Sequence, residues 1–486
     1  MQNFDWLVLF LFFLVMVVIG FWSLKKVGST KDFFVAGGKL PWWLSGISHH
    51  VSGYSGAVFV AYAAMAYTNG ISIYFWWALT IAISIFAGSK IFPPAWARLR
   101  IHYNVESPME YLEKRYNTIT QQIMAWSGVV LKLFDVAAKW AAIAILLNIF
   151  TGVSLFWGIM LSGGISLVYI TVGGLWADVW TDFAQFVVQI IAGIVMFIVV
   201  LKRLGSDSIF TLWDRLPESH SLPFNEPYTI WFALAFLVIN FLSYNGGTWN
   251  LATRYISSPD GNTATKAARL SGILYLFWPL ILFFPMWAAP ILLPGLEAPN
   301  TSYALLTQEL LPAGLVGLVL ASMFANTMSM TSSDVNTISA VITRDILPKF
   351  TSFTEESSLK IARFVTFSFT LITVIMATQA ELFGGVFGLI ISWFGALVGP
   401  IAIPMLLGLL RPFHNSGPIS AIASIVGGLL TFIATKYIID TSQVIEIASP
   451  VLISFAIYAS LGLILKEDSK LGVDESFYQS LKKDQI

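Results

Sequence analysis

Lys132, Asp135 and Lys139 stand in one apolar stretch of helical length. A charge there costs at least ~2.5 kcal/mol against lipid, so such groups usually face a functional interior. Asp135 and Lys139 are four residues apart and can pair on a helix. That pair serves either a structural role or the recognition of a polar molecule. A second polar concentration runs Asn326-Thr-Met-Ser329-Met-Thr-Ser332-Ser333-Asp334-Val-Asn336-Thr337, where 326, 329, 333 and 337 share one helix face. Its oxygens suit a small hard cation such as Na⁺. The ordinary alternative is hydrogen bonding back to the helix's own carbonyls. Two glycine and hydroxyl clusters complete the set: Ser52-Gly53-Tyr54-Ser55-Gly56 and Ser243-Tyr-Asn-Gly-Gly-Thr-Trp-Asn250. They let backbone unwind, which at membrane depth is tolerated only where the backbone is buried in protein or lines a wet cavity. Close helix packing is the other use of such small residues.

The elements that must position these residues are membrane helices. Of 486 residues, 57% are hydrophobic and only 11% charged, against roughly 25% charged in soluble domains. The 27 basic and 27 acidic side chains cancel, which argues against a nucleic-acid partner, and the absence of cysteine excludes a disulfide scaffold. Apolar runs predict 13 spans, near 5–24, 42–67, 71–97, 120–149, 153–172, 178–201, 229–250, 270–293, 309–342, 361–379, 383–410, 418–438 and 446–465. The first follows an acidic leader and reads as a retained anchor rather than a cleaved signal. Lysines and arginines concentrate after spans 1, 3, 7, 9 and 11 and in the tail, with Arg254 counted among them. This predicts a multi-pass protein of the cell membrane with its N-terminus outside and its C-terminus in the cytoplasm.

With span 1 set aside, the two glycine clusters fall in the first and sixth of the remaining helices. Two five-helix inverted repeats around a midplane site have that arrangement. No Walker A loop, zinc-binding histidine pair or G-x-S-x-G elbow is present, and adjacent His49 and His50 lack metal-ligand spacing. The chemistry of ATP-driven pumping and of hydrolysis is missing, so the expectation is that the protein is not an enzyme.

The chain resembles the sodium:solute symporter family, which includes sodium/glucose, sodium/proline and sodium/sialic acid transporters. The resemblance rests on Asp32-Phe-Phe-Val-Ala-Gly-Gly-Lys-Leu-Pro-Trp-Trp43, on Gly173-Gly-Leu-Trp-Ala-Asp-Val-Trp-Thr-Asp182-Phe-Ala-Gln185, and on the stripe running into Thr343-Arg344-Asp345. It implies an all-α leucine-transporter-type fold of about 13 helices in a single membrane domain, 1–486. Residues 1–40 would be a peripheral helix and loop, 41–204 and 228–411 the two inverted repeats, and 412–486 two peripheral helices and a tail. It also implies one or two coupling Na⁺ ions. The common site maps to the carbonyls of Val51 and Tyr54 with Asn326 and Ser329. Met330 departs from the family there, since it offers no hard oxygen where Ser or Thr is usual. A second site maps to Asp182, Ser329, Ser332 and Ser333, although Asp182 also suits an N-cap of span 6.

The resemblance further implies that the broken helices and spans 3 and 4 face a central substrate cavity. Substrate contacts then fall to Ser55, Trp76, Trp77, Asp135, Lys139, Thr248, Asn250, Tyr275 and Ser392, with Trp249 and Trp393 as further aromatic surfaces. Asp135 occupies the region where sialic acid transporters place an arginine, which weakens a carboxylate substrate and favours a sugar or sugar derivative. The expected function is Na⁺-coupled import of a small polar solute by alternating access. Alternatives are symport of sialic acid or an amino acid, and a transporter-fold sensor that has lost coupling. The partners are the solute, sodium ions and the bilayer, with no nucleic acid and no obligatory protein partner evident.

Overall fold

The computed structural model describes residues 1–205, 207–379, 398–439, 441–466 and 475–484, and among them helices are joined by turns and loops, with one isolated bridge between Asn225 and Tyr228. Eight helices are long and apolar enough to cross a bilayer, or nine if a bent pair is taken as one span, among the described residues. The first, α1, spans Asn3–Ser23 and opens on a capping box in which the Asp5 carboxylate accepts the Gln2 backbone N–H at 2.8 Å. Asp5 is buried and also accepts the Gly314 and Gly317 N–H groups at 2.6 and 2.9 Å. One carboxylate thereby ties the start of α1 to the start of the helix that carries the hydroxyl stripe.

The expected second span is split into α2, Trp42–Val51, and α3, Ala61–Asn69, with a short 3₁₀ turn between them. The third comprises a π turn, α4 (Thr80–Gly88) and α5 (Phe92–Tyr103), with a bend of 52° before α5. Next come α6, Thr118–Thr151, started by the Asn117 side chain, and α7, Leu155–Leu204. Helix α7 joins the fifth and sixth expected spans into one 50-residue run, too long to cross once at 1.5 Å per residue. It turns at Gly174, whose φ of 52° lies where a side chain is unfavourable and whose missing Cβ makes room for the Phe33 carbonyl.

The second half of the chain holds α8 (Ile230–Leu242), α9 (Asn250–Ile256), α10 (Gly261–Leu292), α11 (Ser302–Leu310) and α12 (Leu315–Ala340). After them come α13 (Glu355–Ala377), α14 (Gly399–Leu407), α15 (Pro418–Ile433) and α16 (Gln443–Leu465). The eleventh expected span therefore falls mostly outside the described residues. Helix α12 is the axis of the bundle: 89% of its membrane-length window is buried, against 33% for α1 and 28% for α16. A polar stripe on so enclosed a helix must find its partners inside the protein, because water and lipid are both excluded.

Candidate functional site

The two glycine clusters unwind as their composition suggests. Helix α2 stops at Val51, Ser52 and Gly53 turn, and Gly56–Phe59 resumes as a 3₁₀ turn whose first N–H donates to Thr327 Oγ1 at 3.0 Å. Neither the Val51 nor the Tyr54 carbonyl accepts a hydrogen bond from a described residue. In the second break, Ser243–Gly247 forms a π turn with Gly246 at φ 120°. Trp249 is held at φ 40°, a conformation that costs a residue with a side chain of order 1–3 kcal/mol. The chain then restarts as α9. The breaks meet one another: Tyr244 donates to the Gly53 carbonyl at 2.7 Å, and the Asn250 amide donates to the Ser52 carbonyl at 3.2 Å.

Beneath the first break lies a fully buried cage of oxygens contributed by α2, α7 and α12. Asp182 accepts Ser329 Oγ at 2.6 Å and Ser52 Oγ at 3.2 Å, and Ser48 donates to it as well. Asp178, one helical turn earlier, accepts Ser332 and also Ser333, the latter at 2.9 Å. Asp182 lies mid-helix, so it is not an N-cap. The Arg254 guanidinium enters this cage from α9, at 2.6 Å from Asp178 and 3.2 Å from Asp182, and touches Ser48, Ser52 and Ser333. Counting Arg254 among the loop charges is thus corrected: it is completely buried. One turn above, Asn326 donates to the Ser322 carbonyl while its side-chain oxygen is buried without a partner.

On the other side of the first break, a cavity is bounded by Gly53, Tyr54, Ser55, Tyr62, Trp77, Phe236, Asn240, Tyr244 and Met330, with Asp135 and Lys139 in its wall. Asp135 and Lys139 are not a simple pair. Lys132 bridges Asp135 at 3.1 Å and Asp334 at 2.6 Å, and Lys139 bridges the same two carboxylates at 2.7 Å each. Two lysines and two aspartates from α6 and α12 form a closed, electrically neutral ring. Burial on this scale is tolerable only because every charge has two counter-charges in contact.

The expected substrate residues divide accordingly. Ser55, Trp77, Asp135 and Lys139 line the cavity. Trp76 does not: its ring stacks on Tyr228 with centroids 5.3 Å apart and packs against Phe232 and Phe236. Thr248 donates to the Ser243 carbonyl within its own turn, and Asn250 is engaged with Ser52. Tyr275 sits behind the wall, donating to the His50 carbonyl at 2.9 Å and packed against Tyr54 and Trp77. Ser392 and Trp393 lie outside the described residues. His49 is held by Ser271 and Tyr255, each at 2.8 Å, in keeping with a packing role.

Sequence reasoning missed Asp178, Asp334 and Arg254. Asp178 carried a usable signal, since it precedes Asp182 by one helical turn in the same motif, and Asp334 stood in the hydroxyl stripe beside Ser333. Arg254 carried none beyond its position four residues after Asn250.

Comparison with known proteins agrees with this architecture. Residues 33–440 match the model of the sodium:solute symporter family. The sodium/sialic acid symporter SiaT of Proteus mirabilis is 26% identical over 461 residues, covering 89% of each chain. The human sodium/iodide cotransporter is 27% identical over 439 residues, 85% of this chain and 66% of that one. The sodium/glucose cotransporter of Vibrio parahaemolyticus is 26% identical over 384 residues, 72% of this chain and 69% of that one. Among solved structures, a substrate-bound, outward-open Na⁺-coupled sialic acid symporter superposes with a TM-score of 0.84 at 21% identity, over 95% of this chain and 98% of that one. Mhp1, a nucleobase-cation-symport-1 transporter, superposes with a TM-score of 0.61 at 15% identity, over 93% and 98%. The fold is therefore of the leucine-transporter type.

Proposed function

Because the chain belongs to the sodium:solute symporter family and is a Na⁺-coupled solute symporter of the membrane, we propose that its solute is a polar molecule without net charge, a sugar or sugar derivative. The neutral ring of Lys132, Asp135, Lys139 and Asp334 carries this reading. An acidic solute would have to draw a lysine away from two carboxylates already in contact with it. Sugar hydroxyls instead donate to Asp135 and accept from Lys139 or Asn240 without disturbing the charge balance. The rings of Tyr54, Tyr62, Trp77 and Tyr244 offer apolar surface for a pyranose face.

Na⁺ would take the Val51 and Tyr54 carbonyls with Asn326 and Ser329 at one site, and Asp182 with Ser329, Ser332 and Ser333 at a second. Both sets draw on α12 together with a segment it packs against, so an ion fastens the axis of the bundle to the first broken helix or to α7. Two inverted repeats, 41–204 and 228–411, would rock around this centre, with the N-terminus outside and the C-terminus in the cytoplasm. The driving force suffices: one charge crossing ~100 mV gains about 2.3 kcal/mol, and a tenfold ion gradient adds about 1.4 kcal/mol. Together they sustain accumulation of roughly a few hundred-fold per ion.

A second reading, an acidic sugar such as sialic acid, is favoured by the similarity to the P. mirabilis symporter. Uptake of labelled neutral sugars and of sialic acid into proteoliposomes, with and without an inward Na⁺ gradient, separates the two. Na⁺-driven accumulation of sialic acid alone would overturn the neutral-sugar reading, and no Na⁺-driven accumulation of any solute would leave the sensor alternative.

A further inference from the structure

The contacts of Arg254 are distributed in a way that a permanently structural arginine does not need. Its Nη2 atom has four oxygens around it: Asp178 Oδ2 at 2.6 Å, Asp182 Oδ2 and Ser52 Oγ at 3.2 Å each, and Ser333 Oγ in closer contact. That nitrogen carries only two hydrogens, so four acceptors exceed what it can satisfy. The sibling Nη1 atom, with two hydrogens of its own, is buried without a partner. The guanidinium is gripped from one side only, with Nε donating to Ser48 Oγ at 2.9 Å beside the crowded Nη2. Four oxygens converging on one nitrogen also make the shell of a compact, spherical cation.

The charge count points the same way. Asp178 and Asp182 bring two negative charges into a fully buried cage and Arg254 returns one. The oxygens nearest to Nη2 come from α7, α12 and the first break, whereas the guanidinium is delivered from α9, the restart of the other broken helix. The cage is thus complete without Arg254, which reaches into it as a tether.

We propose that Arg254 is a displaceable internal counter-cation: its guanidinium occupies the Asp178/Asp182/Ser52/Ser333 cage, and a Na⁺ ion entering that cage expels it and loosens α9 from α7 and α12. The proposal rests on the Na⁺-coupled reading above and adds an exchange to it, in which ion entry at one broken helix is read out as release of the other. Since Asn250 at the start of α9 holds the Ser52 carbonyl, that release reaches the junction between the two breaks.

The test uses the full-length wild-type protein in detergent and the variant Arg254→Gln, with NaCl compared against choline chloride at equal ionic strength. In the wild type, Na⁺ is expected to raise hydrogen–deuterium exchange in peptides covering 250–258. Na⁺-dependent thermal stabilisation of Arg254→Gln should be half-maximal at a concentration lower by about tenfold or more, because the ion no longer competes with a charge a few ångströms away. If Na⁺ stabilises the wild type but protects 250–258 or leaves it unchanged, the exchange is overturned while Na⁺ coupling stands. Arg254→Gln with unchanged or weakened Na⁺ affinity overturns it as well. If that variant does not fold, the wild-type exchange measurement decides alone. No effect of Na⁺ on either stability or exchange of the wild type would overturn both this proposal and the Na⁺-site assignment beneath it.

Discussion

Tyr244 donates its phenolic proton to the Gly53 carbonyl across 2.7 Å, so the second broken helix closes a backbone group that the first leaves open. Unwinding strands polar backbone at membrane depth, and each stranded group needs a partner or an ion. The Ser52 and Gly53 carbonyls are served by Asn250 and Tyr244, whereas those of Val51 and Tyr54 have no such donor. Protein donors take the two middle carbonyls of the break and leave the flanking two open to a cation.

Tyr244→Phe removes that donor while keeping the ring in the cavity wall. The expected cost is about 1 kcal/mol of stability for an unmade hydrogen bond, read as a lower melting temperature in detergent. Na⁺-driven uptake should fall further than this cost alone accounts for, because the two breaks lose a direct link. Unchanged uptake would show that the link is incidental to transport.

Asp334→Asn opens the neutral ring and leaves Lys132 and Lys139 sharing Asp135 alone. Breaking a buried ion pair by removing one partner costs about 3–5 kcal/mol. Adding Lys132→Met restores neutrality and should recover a large part of the loss. A double-mutant cycle on melting temperature checks this, and additive destabilisation would show that the four charges do not act as a unit. In proteoliposomes, Asp334→Asn alone should shift preference toward acidic solutes, since the cavity wall then carries an excess positive charge.

The sequence carries the hydroxyl and carboxylate cage between α7 and α12 more legibly than the wall of the cavity. Ser329 and Ser333 declare themselves by helical spacing, and Asp182 by its motif, because α12 and α7 are regular helices through that region and periodicity translates directly into a shared face. The breaks themselves are legible from their glycines, but their side-chain directions are not. Thr248 turns back on Ser243 and Trp76 turns outward onto Tyr228, since neither the π turn at 243–247 nor that at 74–79 follows a 3.6-residue period. Arg254 reads as a topological charge because a seven-residue helix restart has too little length to show amphipathicity. The closure of the lysine–aspartate ring needs a contact between α6 and α12 that no local pattern encodes.

Asn326→Ala and Met330→Ser probe the common ion site from opposite directions. Asn326 contributes a buried side-chain oxygen with no protein partner, so its loss should raise the Na⁺ concentration for half-maximal uptake about tenfold, on the scale of one lost hydrogen bond to a charged group. Met330→Ser supplies a hard oxygen beside it and should lower that concentration. If neither substitution moves the Na⁺ dependence, the ion is not held there.

Asp182→Ala and Ser333→Ala address the second ion site. With Asp182 replaced, Arg254 and Asp178 remain as a one-to-one pair and the cage has no net charge left for an ion. Na⁺-dependent thermal stabilisation should weaken strongly in Asp182→Ala and to a smaller extent in Ser333→Ala. Full Na⁺ dependence in Asp182→Ala would remove the second site while leaving the fold assignment untouched.

At one end of the bundle, outside the spans, Asp484 fastens the C-terminal segment 475–484 by accepting Arg98 Nε at 3.0 Å and the Gly261 N–H at 2.9 Å. Burial pushes its carboxyl up, but the Arg98 guanidinium and the Gly261 N–H outweigh that and hold it below the ordinary aspartate range. A depressed carboxyl contributes stability above its unfolded value and loses it as pH falls through the folded one. The segment should therefore stay docked through mild acidity and begin to detach only below about pH 3.9. Asp484→Asn should mimic that state at neutral pH. Limited proteolysis followed by mass spectrometry checks both arms: cleavage within 475–484 should rise in Asp484→Asn at neutral pH and in the wild type only under strong acid. Equal protection of the variant and the wild type would show that Phe477 and Tyr478, which are buried, hold the segment without the ion pair.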